Sequence, residues 1–258
     1  MTGDIIQVEQ AVVAFDGFVV LDHLDFTLRQ GELRFLIGPN GAGKTTLMDL
    51  LSGKVQLESG RARFLPNPDD QMSRAIDITR HQKHELVRLG IGRKFQTPSI
   101  YRSLTCFENI EVALGFRTRL PGLLRRLNDE GRDRIHTVLT QVGLGERPTT
   151  LAGALSHGEQ QWLEIALLLV QDPAVVLLDE PVAGMTRQER ERTGALLHEL
   201  EGKHSIIVTE HDMEFVRQFS RTVTVLHQGK ILAEDLVDAI QTNPAVIEVY
   251  LGRSHVAA

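Results

Sequence analysis

The spacing of apolar positions along the chain changes in ways that mark out its elements. The first thirty residues gather β-formers into two runs, IIQVEQAVVAF and FVVLDHLDFTL, separated by Asp16-Gly17. Two such runs around an Asp-Gly break predict an antiparallel pair. LRFLIG, residues 33–38, is a short unbroken apolar run of the kind found in strands buried on both faces. Residues 44–51 have helical composition and stop before Gly53. RARFL, 61–65, predicts another strand, and PNPDDQMSRAID, 66–77, with two prolines, predicts a polar surface loop.

From about residue 97 to residue 172 the pattern is mostly helical, with breaks at Pro121-Gly122, at Gly143 and Gly145, and at Pro148. Strands return at VVLLD (175–179), SIIVT (205–209) and TVTVL (222–226), with a helical segment between the first two. Strands separated by helices imply a parallel sheet. The expectation is one α/β domain over residues 1–258, with a core at about 1–96 and 173–258 and an inserted helical lobe at about 97–172.

Composition narrows the function classes. Of 258 residues, 42% are hydrophobic and 24% charged, ordinary for a soluble globular protein. A net charge of -6 argues against nucleic acid as the main partner, because phosphate backbones reward basic surfaces. The cluster Arg117, Arg119, Arg125 and Arg126 reads as a solvated face or as a local basic patch. A single cysteine, Cys106, excludes an internal disulfide and a CxxC metal site. The opening MTGDII has neither a basic start nor an apolar core, so no signal peptide is expected. The mid-chain apolar run at 165–170 falls far short of the roughly 18 residues that span a bilayer, so a membrane role has to run through a partner.

Three stretches carry chemistry. GPNGAGKT, residues 38–45, fits G-x-x-x-x-G-K-[ST] with a strand before it and a helix after. Its glycines let backbone N–H groups turn inward around phosphate oxygens, Lys44 reaches the β- and γ-phosphates, and the Thr45 hydroxyl is placed for Mg²⁺. The nucleotide-binding set is therefore Gly38, Pro39, Asn40, Gly41, Ala42, Gly43, Lys44, Thr45 and Thr46. VVLLDEP, 175–181, delivers Asp179 to the C-terminal edge of the sheet to hold Mg²⁺, and Glu180 after it to polarise an attacking water. LSHGEQQ, 155–161, reads two ways: Ser156 and Glu159 form a capping-box pattern, and the same residues look like a phosphate-sensing loop.

The order of these motifs resembles the ATP-binding-cassette (ABC) ATPases over nearly the whole chain. The resemblance implies an α/β P-loop NTPase fold, the ABC nucleotide-binding domain. It has a RecA-like parallel-sheet core, an N-terminal antiparallel β subdomain and an inserted helical lobe. It also implies roles. Gln96 in RKFQTP matches the glutamine that joins core to lobe and touches Mg²⁺ or the attacking water. Ser156 and Gly158 match the LSGGQ signature, and His211 in TEHD matches the switch histidine at the γ-phosphate. Phe15, with Phe18 as the second choice, stacks on adenine. ATP and Mg²⁺ are the implied ligands. In this family two domains sandwich two ATPs, so one phosphate loop and one signature require a second ATPase, either non-identical or another copy.

KFQTPSIY, LTCFENIEVAL, LSHGEQQWLEIALLL, DEPVAGMT, EHDMEFV and VIEVYLG look like the branched-chain amino-acid-type importers. Within them, LSHG, QWLEI and DEPVAGMT look like urea-type subunits. That branch has an extracytoplasmic solute-binding protein, two transmembrane permeases and two non-identical ATPases. The implied function is the ATPase of an importer for urea or short-chain amides, peripheral on the cytoplasmic face of the inner or plasma membrane. A branched-chain amino-acid importer and a soluble non-transport cassette are the alternatives.

The sequence departs from the pattern in four places. The 66–77 loop is longer than the usual connection there, as a tolerated surface insertion. The 182–186 loop lacks the aspartate common in the wider family. His157 replaces a glycine, as a solvent-facing substitution or as a titratable donor near the phosphates. Glu159 is expected to fold back onto the Ser156 N–H, because a carboxylate pointed at ATP would repel it.

Overall fold

The computed structural model describes residues 3–69, 74–94, 100–115 and 127–251. Strands β1 (Asp4–Phe15) and β2 (Phe18–Arg29) form an antiparallel hairpin closed by Asp16 and Gly17, whose φ angles are 49° and 82°. Two consecutive left-handed residues are what a two-residue type I′ turn requires, and Asp-Gly adopts them readily. The inward residues of β2, Leu21, Leu24, Phe26 and Leu28, are all buried. Strand β4 (Ser59–Phe64) pairs with the other side of β1, and β5 (Ile76–Asp77) pairs with β4, giving the order β2-β1-β4-β5. The 66–77 stretch is thus not loop throughout. Its last two residues pair with Arg63 and Phe64, which lets Ile76 pack on the core; residues 70–73 lie outside the described residues.

The second sheet has six strands in the order β10-β9-β3-β8-β7-β6. Strands β3 (Leu33–Ile37), β6 (Ile91–Lys94), β7 (Val175–Asp179), β8 (Ser205–Thr209) and β9 (Thr222–His227) run parallel, and β10 (Lys230–Leu236) closes one edge antiparallel. Every residue of β3, β7 and β8 is buried, because both faces are covered and successive side chains enter different apolar clusters. Phe35, Ile37, Val176, Leu178, Ile206 and Val208 face a cluster shared with helices. The helices are α3 (Cys106–Gly115), α4 (Asp129–Gln141), α5 (His157–Leu169), α6 (Arg187–Leu200) and α7 (Met213–Phe219). Leu36, Val175, Leu177 and Ile207 face the antiparallel sheet and α1 (Lys44–Leu51).

The chain leaves this sheet after β6 and rejoins it at the neighbouring β7, with α3, α4 and α5 in between. Those helices bury Ile110, Ile135, Leu139, Leu163 and Ile165. Trp162 of α5 donates its indole N–H to Thr193 of α6 over 2.9 Å, and the Arg192 guanidinium lies 4.5 Å from its ring centre. The middle of α5 is thereby tied to α6.

Apolar spacing does not reveal β6, β10, α2 (Lys83–Leu89), α8 (Val237–Thr242) or α9 (Pro244–Leu251). In β6 the reason is chemical: Arg93 and Lys94 are buried there, carried by ion pairs to Asp49 and Asp179 and to Glu164.

Candidate active site

Residues 38–43 link the end of β3 to α1, whose first two residues are Lys44 and Thr45. Gly38, Gly41 and Gly43 have φ of 151°, 79° and 107°. A Cβ on Gly38 would lie 2.2 Å from the Leu226 carbonyl oxygen, and one on Gly43 would lie 2.8 Å from a Leu21 methyl. Only glycine fits where the loop is pressed between β9 and β2. Helix α1 begins without a side-chain cap and without an acid in its first turn. Among the described residues the N–H groups of Thr45 and Thr46 therefore keep their capacity for an external anion. Lys44 Nζ turns back to the carbonyl oxygens of Gly38 (2.6 Å) and Pro39 (3.2 Å), which holds the ammonium against the loop. Asn40, Gly41 and Thr45 are exposed, Pro39 and Thr46 half-buried, and Ala42 packs into the core.

Strand register brings the acids to the same edge. Thr209, the last residue of β8, pairs with Leu36 on one side and Asp179 on the other. Its hydroxyl donates to Asp179 Oδ1 at 2.6 Å. Arg93 approaches Asp179 Oδ2 at 3.4 Å while donating to Asp49 at 2.5 Å and Ser52 at 2.9 Å. Glu180 has φ of 46°, a left-handed conformation that is uncommon outside glycine and clusters at functional sites. Its N–H is anchored on the Thr209 carbonyl at 3.0 Å. Its carboxylate stands 3.4 Å from His211 Nδ1, and both side chains reach solvent. The neighbouring Glu210 is buried, and that burial raises its carboxyl above the ordinary 4.5, opposed by N–H donors from Val182 and His211. A half-buried carboxylate that reaches solvent, with an imidazole beside it, can take a proton from a water molecule, the geometry of a general base.

The signature stretch opens α5. Ser156 is the N-cap, accepting from the Glu159 N–H, and the Glu159 carboxylate folds back to the Ser156 N–H at 2.9 Å, as charge repulsion predicts. Arg147 holds the same carboxylate at 3.0 Å. His157 does not simply face solvent: its Nε2 lies 3.1 Å from the Ala183 carbonyl, in the loop after Glu180. The Ser156 hydroxyl also donates to Glu189 Oε1 at 3.1 Å, across to α6. Thr186, in the loop without the aspartate, is the N-cap of α6.

Phe15 and Phe18 pair at the hairpin tip, 48% and 74% exposed, and a Cβ on Gly43 would meet Val20 and Leu21 of the same hairpin. The hairpin that carries both aromatics therefore passes beside Gly43. Gln96 and the arginines 117, 119, 125 and 126 lie outside the described residues. Arg93, Thr209, Glu210 and Glu189 are the participants that the sequence reading passes over. Thr209 alone carried a signal, as a hydroxyl ending an apolar strand just before Glu210-His211.

Comparison with known proteins places this geometry. The ABC transporter family matches residues 21–183, and a family described as branched-chain amino acid ATP-binding cassette transporter matches residues 230–256. The chain is 34% identical to the high-affinity branched-chain amino acid transport ATP-binding protein LivG of Salmonella typhimurium, covering 98% of this chain and 100% of that one. The Escherichia coli K12 protein of the same name is 33% identical, and BraF of Pseudomonas aeruginosa 32%, with the same coverage. A crystal structure of the ADP conformation of an ATP-binding cassette of an ABC transporter superimposes with a TM-score of 0.83 at 28% identity, over 97% of this chain and 100% of that one. A nucleotide-free ATP-binding cassette superimposes with a TM-score of 0.80 at 27% identity, over 96% and 98%.

Proposed function

Because this chain belongs to the ABC transporter family, as an ATP-hydrolysing subunit of the branched-chain amino acid type, we propose that it powers the import of branched-chain aliphatic amino acids. The observation that carries the chemistry is the register of Thr209 between Leu36 and Asp179, with Glu180 and His211 3.4 Å apart at the same edge. In this reading the backbone N–H groups of residues 40–46 and the Lys44 ammonium hold the ATP phosphates, and Phe15 stacks on adenine. Glu180 takes the proton of the attacking water, and His211 contacts the γ-phosphate.

The residues present fit Mg²⁺, which is usually held by one or two protein oxygens together with phosphates and water. Among the described residues Asp179 Oδ2 is approached by Arg93 alone, at 3.4 Å, so it retains capacity to accept. Thr45 and Asp179 would hold the ion, with Gln96 assigned there by resemblance. Bound, the ion neutralises charge on the phosphates.

Ser156 and Gly158 would meet the γ-phosphate of an ATP carried by a second ATPase, non-identical or another copy. Two permeases carry the solute, received from an extracytoplasmic binding protein. Among the described residues no helix is long and apolar enough to cross a membrane, so the reading places the chain against the permeases on the cytoplasmic face.

Urea or a short-chain amide rests on LSHG, QWLEI and DEPVAGMT alone, whereas the relatives above are named for branched-chain amino acid transport. Uptake of radiolabelled leucine and urea, in cells with and without this chain, separates the two. Loss of leucine uptake alone is the expected result. Loss of urea uptake alone overturns the solute, and loss of neither overturns the importer reading.

A further inference from the structure

Ser156 is held from two sides at once. Its oxygen accepts the Glu159 N–H, and its hydroxyl hydrogen goes to Glu189 Oε1 at 3.1 Å. The other oxygen of Glu189 accepts the N–H and the hydroxyl of Thr186, each at 2.9 Å. One half-buried carboxylate therefore bridges the N-caps of α5 and α6. Gly158 makes the room: a Cβ there would lie 2.3 to 2.9 Å from the carboxyl atoms of Glu189. So the glycine of the signature is already used within this chain.

Glu189 is ionised at neutral pH. The Thr186 N–H, with help from both hydroxyls and His157, holds its carboxyl below the ordinary 4.5. A negative group is thus seated at the N-terminus of the 13-residue helix α5, where the helix dipole favours an anion. Under the function proposed above, that position is the one a second subunit's γ-phosphate has to take. The Ser156 hydroxyl has one hydrogen to donate and cannot serve both acceptors. Two anions at one helix start also repel.

We propose that Glu189 is a positioning residue that occupies the signature's anion site in cis, so that the γ-phosphate must displace it from Ser156 before the ATP sandwich closes. It sets the ATP concentration at which the subunits close and leaves nucleotide binding to the phosphate loop unchanged. This rests on the reading of the chain as a transporter ATPase.

The test uses the transporter assembled with its permeases and second ATPase. Glu189→Gln removes the charge but keeps an oxygen to accept the Thr186 N–H, so the capping box survives. The KM for ATP should fall about five-fold, a modest coupling between sites, with kcat little changed. Inhibition by ADP, which has no γ-phosphate, and the thermal midpoint should stay at the parent values. Glu189→Asp keeps the charge and pulls it back from Ser156, and it should lower KM by at least about two-fold. An ATP KM at or above that of the parent in both variants overturns the proposal and leaves Glu189 as a helix cap. A parent assembly that hydrolyses no ATP would instead count against the transporter reading.

Discussion

Thr209 donates its hydroxyl to Asp179 Oδ1 across 2.6 Å, between the strand that feeds the phosphate loop and the strand that carries the acids. Both groups are buried. Thr209→Val keeps the shape and leaves a carboxylate oxygen without its donor. The expected cost is about 1–3 kcal/mol in denaturant unfolding. Thr209→Ser should recover most of it, because it restores the donor.

Arg93 joins Asp49 of α1 to Asp179 of β7, with all three side chains largely withdrawn from water. Among the described residues, removing Arg93 leaves buried Asp179 without a cation, while Asp49 keeps only Lys54 at 3.0 Å. Arg93→Ala should therefore destabilise the chain by about 3–5 kcal/mol, read from urea or guanidinium midpoints. A loss of a few tenths would place the pair among exposed bridges, which its burial contradicts.

Gly38 has no space for a side chain and sits at φ of 151°. Gly38→Ala should cost at least about 1–3 kcal/mol through overpacking against the Leu226 carbonyl. It should also abolish measurable ATP binding by calorimetry, since the loop has to shift. Gly41→Ala meets no neighbouring atom and carries only the backbone penalty, so its loss of stability should be smaller.

His204 gives a pH dependence with a definite sign. It is buried, with Nδ1 2.6 Å from the Pro173 carbonyl, and burial lowers its pKa below the ordinary 6.5. Unfolded chains take up this proton near 6.5, and folded chains only at lower pH. The full stability is present above 6.5 and is lost as pH falls from there towards the folded pKa. Unfolding free energies of the parent and of His204→Gln, measured from pH 8 to about pH 5, should show the steeper decline in the parent. Parallel curves would remove His204 as the cause.

The parts of the fold that can be read in the sequence are those whose burial is purely apolar. LRFLI, VVLLD and SIIVT are buried at every position because two apolar clusters take alternate residues. IGRK is just as buried, yet it looks like surface, since its two cations are neutralised by acids 44 and 86 residues away from Arg93 and by Glu164. The turn between β3 and α1 was legible because the spacing of Gly38, Gly41 and Gly43 reports backbone geometry directly. Glu189 was not, because its partner Ser156 is 33 residues away and only the packing of α5 on α6 joins them.

The central claim is that Glu180, held in a left-handed conformation beside His211, activates the water that attacks ATP. Single-turnover hydrolysis of ATP by the parent and by Glu180→Gln, at matched ATP occupancy, tests it most directly. The account predicts undiminished ATP binding, an accumulated closed complex, and a rate lower by about 10²–10⁴-fold, the usual contribution of a general base. A rate within a few-fold of the parent, with ATP bound, would contradict it.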